Sequence, residues 1–220
     1  MSSPLDTDVL ACGLSRRSRL LKRTMDVTLS ACLLIILTPL WAVVAVGIRL
    51  DSQGPVLYRQ GRRGEGDRTF LIYKFRTMTV DADDRLAEVL HLNMHASELG
   101  DPRMYKIPND PRVTRFGALL RRYSVDEFPQ LLNVLRGDMS LVGPRPLMLI
   151  EDRNVTPGAA LRRCVKPGLT GPWQVSGRNE IPFEEMLRLD CAYVREHSLW
   201  TDLRLLLKTV PVIARAQRAC

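Results

Sequence analysis

"VTLSACLLIILTPLWAVVAVGI", residues 27–48, carries no charged side chain. As a helix rising about 1.5 Å per residue it would be roughly 33 Å long, enough to cross a bilayer core of about 30 Å. It reads as a membrane segment. It does not read as a signal peptide, because the apolar run is too long and no small-residue cleavage site follows it. Pro39 lies at its middle, where the ring removes one backbone hydrogen bond and clashes with the preceding turn, while Thr38 offers a hydroxyl to the freed groups. A kink is expected there. Arg16, Arg17, Arg19, Lys22 and Arg23 precede the segment, and Arg49, Arg59, Arg62, Arg63 and Arg68 follow it. A spanning helix should carry a lysine and arginine bias on one side, and this one has none. If both flanks prefer the same face, the segment enters and returns as a re-entrant helix broken at Thr38 and Pro39. A kinked single pass is the competing reading. The chain then divides into a disordered leader over 1–19, the membrane helix over 20–50 and a third part over 51–220.

The composition limits what that third part can be. With 220 residues, 45% of them hydrophobic, the chain is long enough for one domain with a real core and is not disordered. The net charge of +8 is carried mostly by arginine, which suits phosphate, nucleic acid or an anionic membrane surface. Cys12, Cys32, Cys164, Cys191 and Cys220 are odd in number and widely spread, so neither a disulfide framework nor a zinc knuckle is indicated and a reducing compartment fits. His91 and His95 stand four apart, as helical metal ligands could, but no third ligand is in view, and a solvated face is the simpler reading.

After the membrane segment, "GPVLYRQGRRGEGDRTFLIYKFRTM" reads as a β-hairpin around a Gly-Arg-rich turn. Strand alternation puts Phe70, Ile72, Lys74 and Arg76 on one face and Leu71, Tyr73 and Phe75 on the other. Residues 81–99 look helical, and "GDPRMYKIPNDPRV" is a loop. A basic amphipathic helix capped by Thr114 follows, with Phe116, Leu119 and Leu120 together and Arg115 and Arg122 at its edges, able to lie on a membrane surface. "VKPGLTGPWQVSGRN", residues 165–179, is a structured loop of a kind that often binds ligands. The next helix opens at Pro182, and its apolar stripe holds Asp190, a carboxylate that must be paired with a cation or serve a site. Asp202 falls in the first turn of the last helix, where a capping or dipole role is the default.

"YSVDEFPQ", residues 123–130, then sets two acids side by side in a basic setting. Ser124 followed by Glu127 reads as a capping box before "FPQLLNVL", with Gly137 as the stop signal. The alternative is chemical. Neighbouring helical residues do not face each other, so Asp126 and Glu127 cannot share one pocket as a dyad; one could attack while the other orients or holds a metal.

"KRTMD", "GPVLYRQGRRG", "YKFRTM", "DPRVTRFG", "SVDEFPQLLNVLRGDMSLVGPRP", "KPGLTGPWQVSGRN" and "HSLWTD" stand in order over residues 20–213 and resemble the successive motifs of the monotopic phosphoglycosyl transferases, bacterial sugar transferases of the polyprenyl-phosphate hexose-1-phosphate transferase type. Phe128, Pro172 and Glu196-His197 depart from the usual pattern without touching the acids. The resemblance implies an α+β fold, mainly helical with a small β-hairpin, an N-terminal re-entrant membrane helix and amphipathic surface helices. It implies a short catalytic domain at the cytoplasmic face of the inner membrane, without the four-helix membrane part that larger relatives carry. It makes Asp126 the nucleophile on a UDP-sugar, with Glu127 and a magnesium ion held by Asp126 and Glu127 supporting it. Arg121 and Arg145 are assigned to phosphate contact; Lys74, Arg76 and Arg178 to a basic wall; Asp190 to pairing with Lys74 or to the substrate. The implied partners are a UDP-sugar, polyprenyl (undecaprenyl) phosphate and the bilayer, with no nucleic acid and with an oligomer allowed. The implied product is a polyprenyl-linked phosphosugar that starts exopolysaccharide or glycoconjugate assembly, with UMP released, and "GLTGPWQVSGR" looks most like members that transfer unmodified hexoses such as glucose or galactose. The alternative from another class is a single-pass, membrane-tethered basic binding or scaffold protein without catalysis.

Overall fold

The apolar run becomes the middle of one helix of 36 residues, α1 (Arg16–Asp51), in a computed structural model that describes residues 15–94, 103, 107–177 and 181–214. By length and composition α1 could cross a membrane, and only 11% of its most apolar window is buried. Pro39 is inside it, and Thr38 Oγ1 donates to the Leu34 carbonyl at 2.8 Å. The hydroxyl thus bonds one carbonyl short of Ile35, whose i+4 partner is the proline that has no N–H. The leader expected over 1–19 gives way at Ser15, whose side chain accepts from the Ser18 N–H and caps α1; residues 1–14 lie outside the described residues.

Beyond α1, β1 (Leu57–Arg63) and β2 (Thr69–Phe75) pair antiparallel as the expected hairpin, with Tyr58 opposite Lys74 and Arg62 opposite Phe70. The helix expected over 81–99 shrinks to α2 (Leu86–Val89) and a following 3₁₀ turn. Its acidic start explains why: short aspartate side chains compete for the local backbone, and the neighbouring Thr79 side chain holds the Asp81 pKa below its ordinary value. Residues 95–99, and with them His95, lie outside the described residues.

Next come α3 (Arg115–Arg122), α4 (Gln130–Arg136), β3 (Ser140–Val142) and α5 (Leu149–Asp152). β4 (Gly168–Thr170), α6 (Pro172–Val175), α7 (Phe183–Arg195) and α8 (Leu199–Ala214) complete the chain. Thr114 caps α3 as expected, its Oγ1 accepting from the Gly117 N–H at 3.0 Å. Of the three apolar residues expected together on this helix, Phe116 and Leu120 pack with one another, while Leu119 is exposed. Gly117 is required by packing, since a Cβ there would lie 2.1 Å from the Thr77 carbonyl oxygen. The expected ligand loop over 165–179 is largely core: β4 pairs with β3 in a small parallel sheet, and Trp173 of α6 is buried.

The main core gathers Leu131, Val134, Met139, Val142, Leu147, Phe183, Met186 and Leu187 from α4, β3, α7 and the segments between them. α1 belongs to this assembly at both ends. Near its start, Lys22 donates to Asp202 at 2.6 Å, Arg23 to the Val134 and Leu135 carbonyls at the end of α4, and Asp26 accepts from Ser140 Oγ and the Leu141 N–H. Near its end, Val44 and Ile48 pack with Phe75 and Leu120, and Asp51 accepts from the Phe116 N–H. Its remaining surface stays apolar and bare, Ile35 at 75% and Ile36 at 69% exposed, and α8 adds exposed Trp200, Leu203, Leu207 and Val210.

Candidate active site

A cleft of about 540 Å³ opens on one face of the hairpin. Its floor is the set of side chains that strand alternation turns the same way: Tyr58, Gln60 and Arg62 from β1, Lys74 from β2 and Arg76 just past its end. Asp126 and Arg121 close one side, and the segment from Thr77 to Leu86 closes another.

The chain around Asp126 does not build the capping box expected of Ser124. Ser124 has φ of +55°, in the left-handed region, and makes no side-chain cap bond. An N-cap residue needs extended backbone to turn its hydroxyl onto the N–H groups ahead. Instead Val125–Glu127 form a single 3₁₀ turn, and α4 starts only after Pro129. Gly137 does stop that helix, with φ of +89°. The tight turn drives Asp126 inward, 8% exposed, and leaves Glu127 beside it at the rim. Only Asp126 of the two lines the cleft, as expected for neighbours that cannot face one pocket.

Lys74 Nζ donates to Glu127 Oε1 at 2.8 Å. Burial drives the Asp126 pKa up to about 6 against the pull of Lys74 and the weaker one of Arg121, with the Glu127 charge adding to the rise. Burial makes the ionised carboxylate a better nucleophile than a solvated one, while the nearby cations favour its ionisation. Asn133, fully buried on α4, fixes this arrangement by accepting from the Tyr73 N–H and donating to the Leu71 carbonyl, as a neighbouring strand would.

The expected basic groups are placed unequally. Arg121 lines the cleft and donates to Thr77 Oγ1 at 2.9 Å. Arg76 also lines it, yet its guanidinium donates to the Ser52 and Gln53 carbonyls just past α1, so it ties the hairpin to the end of α1. Arg145 is not among the lining residues; its guanidinium lies 4.2 Å from the centre of the Trp173 ring. Arg178 lies outside the described residues. Asp190 does not pair with Lys74. It is fully buried against Arg162 at 2.7 Å, and burial raises its pKa against that partner. Arg162 also donates to the Arg145 carbonyl, so the pair holds the "GPRP" turn.

Two residues of the cleft escaped the sequence reading. Arg62, whose pKa is pushed down to about 10 chiefly by burial, donates to the Pro146 carbonyl and to Gln60. Tyr58 faces the cleft one strand away from Lys74. The alternation that put Lys74 and Arg76 on one face, applied to β1, would have found both.

Among the described residues no group of three or more histidines, cysteines or acids is placed to hold a metal. Asp126, which lines the cleft, suits magnesium, commonly held by one or two carboxylates together with substrate phosphates and its own waters, while Glu127 beside it at the rim is engaged by Lys74.

Residues 17–216 match the family model described as bacterial sugar transferase. The chain is 40% identical over 204 residues to the undecaprenyl-phosphate galactose phosphotransferase of Salmonella typhimurium, covering 93% of this chain and 42% of that one. It is 39% identical over 192 residues to the exopolysaccharide production protein ExoY of Rhizobium meliloti, covering 87% and 84%. It is 41% identical over 206 residues to the UDP-glucose:undecaprenyl-phosphate glucose-1-phosphate transferase of Caulobacter vibrioides, covering 90% and 71%. The chain spans about two-fifths of the length of several curated relatives that it matches.

Proposed function

The chain belongs to the bacterial sugar transferase family, and from that premise we propose that it transfers a hexose 1-phosphate from a UDP-sugar to a polyprenyl phosphate, the first step in building an exopolysaccharide or related glycan. The observation that carries this reading is Asp126, a buried carboxylate with a raised pKa in a cleft floored by cations. A scaffold or nucleic-acid-binding protein has no use for such a group.

Asp126 attacks the sugar-bearing phosphorus; a bond from the carboxylate oxygen to phosphorus forms, the diphosphate bridge breaks, and UMP leaves. An oxygen of the polyprenyl phosphate then attacks the same phosphorus and releases Asp126. Two steps let a soluble and a lipid substrate use one site in turn. Lys74 holds Glu127 in place and, with Arg62 and Arg121, supplies positive charge where anionic groups must meet. Asp126 and Glu127 would hold the magnesium ion, which when bound screens the diphosphate charge. Incubating the membrane-embedded protein with polyprenyl phosphate and each of a panel of UDP-sugars should release UMP, with UDP-glucose or UDP-galactose the best donor. No UMP from any donor would refute the transfer.

The same reading makes α1 re-entrant, with residues 51–220 as the catalytic part on the cytoplasmic face of the inner membrane. Its support is that residues at both ends of the apolar run dock on one body: Asp26 on Ser140 and Leu141, Val44 and Ile48 on Phe75 and Leu120. A body confined to one face could not touch both ends of a crossing helix. In a variant without native cysteines, Ser18→Cys and Ser52→Cys should both resist an impermeant thiol reagent in intact cells and react after lysis. Labelling at position 18 in intact cells would mean that α1 crosses.

A further inference from the structure

The cleft extends past the cationic groups around Asp126 to a part of opposite character. Tyr58 is half-buried there, directly across the hairpin from Lys74, and so about one strand spacing of 4.8 Å from it. Asp83 lines the same cleft close enough for its charge to act on Tyr58, and Val80, Leu86 and Ile107 line it too. Among the described residues no cation comes within ion-pair distance of Asp83. Arg112, the nearest candidate in the cleft, is committed to Asp110 at 2.7 Å and to the Ala82 carbonyl. Order along the cleft is therefore Asp126, then Lys74, then Tyr58, then Asp83.

A carboxylate without an ion-pair partner repels phosphate and accepts from hydroxyls. A nucleotide sugar matches this polarity only with its diphosphate at Lys74 and a hydroxyl-bearing end at Asp83. That end is either the ribose with its base or the hexose. An aromatic ring with aliphatic side chains on the same cleft suits a planar base, which has two apolar faces to cover, better than a hexose, which offers only one C–H face. We infer that Asp83 and Tyr58 form the nucleoside subsite of the donor, Asp83 accepting from the ribose hydroxyls and Tyr58 lying against the uracil. The inference rests on the reading of the chain as a UDP-sugar transferase. The chemistry is that by which acidic side chains hold ribose hydroxyls in dinucleotide folds. Burial, and after it the Asp83 charge, raises the Tyr58 pKa, so its hydroxyl keeps its proton and can donate.

The test compares UDP-glucose with 2′-deoxy-UDP-glucose, and UMP with 2′-deoxy-UMP in titration calorimetry, on wild type, Asp83→Asn and Tyr58→Leu. Asp83 is exposed and its replacement leaves the core untouched. Wild type should prefer the ribonucleotides about tenfold to hundredfold, the range for a hydrogen bond to a charged group. Asp83→Asn should erase most of that preference by raising KM for the ribonucleotide alone, with kcat little changed. Tyr58→Leu should weaken ribo and deoxy ligands equally. An unchanged ribo-to-deoxy ratio in Asp83→Asn overturns the assignment, as does a change confined to discrimination between UDP-glucose and UDP-galactose, which would put the hexose at Asp83. Calorimetry separates this from the reading beneath it: Asp83-dependent UMP binding without turnover would leave the subsite standing and remove the transfer.

Discussion

Asp126→Asn is expected to lower turnover by about 10⁴- to 10⁶-fold, the scale of losing a covalent nucleophile, while the protein stays folded. The amide is the same shape, fits the same 3₁₀ turn and cannot form the bond to phosphorus. Acid-quenched wild type incubated with labelled UDP-sugar should carry the label on protein, and the variant should not. Substantial retained turnover would remove the aspartyl intermediate. A second signature comes from pH. The folded pKa of about 6 lies above the ordinary aspartate value of about 3.9. With Asp126 as the proposed nucleophile, the activity of wild type should therefore rise through pH 6. The stability contributed by this group runs the other way: it is fully present below about pH 3.9 and is lost as pH rises through 6. Asp126→Asn should flatten that part of the stability profile and melt higher than wild type at neutral pH. A variant that melts lower there would mean that the carboxylate is stabilised by its cations more than it is penalised by burial.

Arg162→Leu is expected to be the most damaging single change to stability. Asp190 is 0% exposed and Arg162 is its ion-pair partner. Removing one member of a buried pair typically costs about 3–5 kcal/mol, because the survivor is left charged or must take up a proton. Joint replacement, Arg162→Leu with Asp190→Leu, should recover most of the loss, which calorimetric melting of the two variants would measure. Activity adds a separate readout. Since Arg162 also holds the Arg145 carbonyl, the double variant should fold yet transfer poorly, whereas full activity would mean that the "GPRP" turn does not need this tether.

What the sequence disclosed was local. Thr114 as a cap, Gly137 as a stop and the alternation that joined Lys74 to Arg76 all depend on neighbours within a few residues, and each is found where it was expected. The apolar stripe of α7 even located Asp190 as a buried acid in need of a cation. The identity of that cation was not legible, because the pairing of Asp190 with Arg162 spans 28 residues and depends on how α7 packs. Ser124 misled for a related reason. Its spacing to Glu127 satisfies a capping rule, but the chain turns left-handed at that residue to carry Asp126 inward, and no local pattern marks such a turn at serine. Asn133 was invisible in the same way, since a polar residue standing in for a strand shows itself only once helix and hairpin are side by side.

The polar seam between α1 and the rest of the chain bears on how this protein can be handled. A fragment cut after Asp51 to obtain a detergent-free enzyme would not be the same body minus its tether. It would keep a fully buried Asp202 stripped of its ammonium partner, lose the acceptor of the Ser140 hydroxyl and the Leu141 N–H, and uncover the α4 carbonyls that Arg23 now covers. It would also bare Phe75 and Leu120, which Val44 and Ile48 pack against. For the same reason a foreign hydrophobic helix grafted in front of residue 52 would hold the chain at the membrane without restoring those contacts. The anchor is not interchangeable, and any solubilised version has to keep Lys22, Arg23 and Asp26 and blunt only the bare face around Ile35 and Ile36.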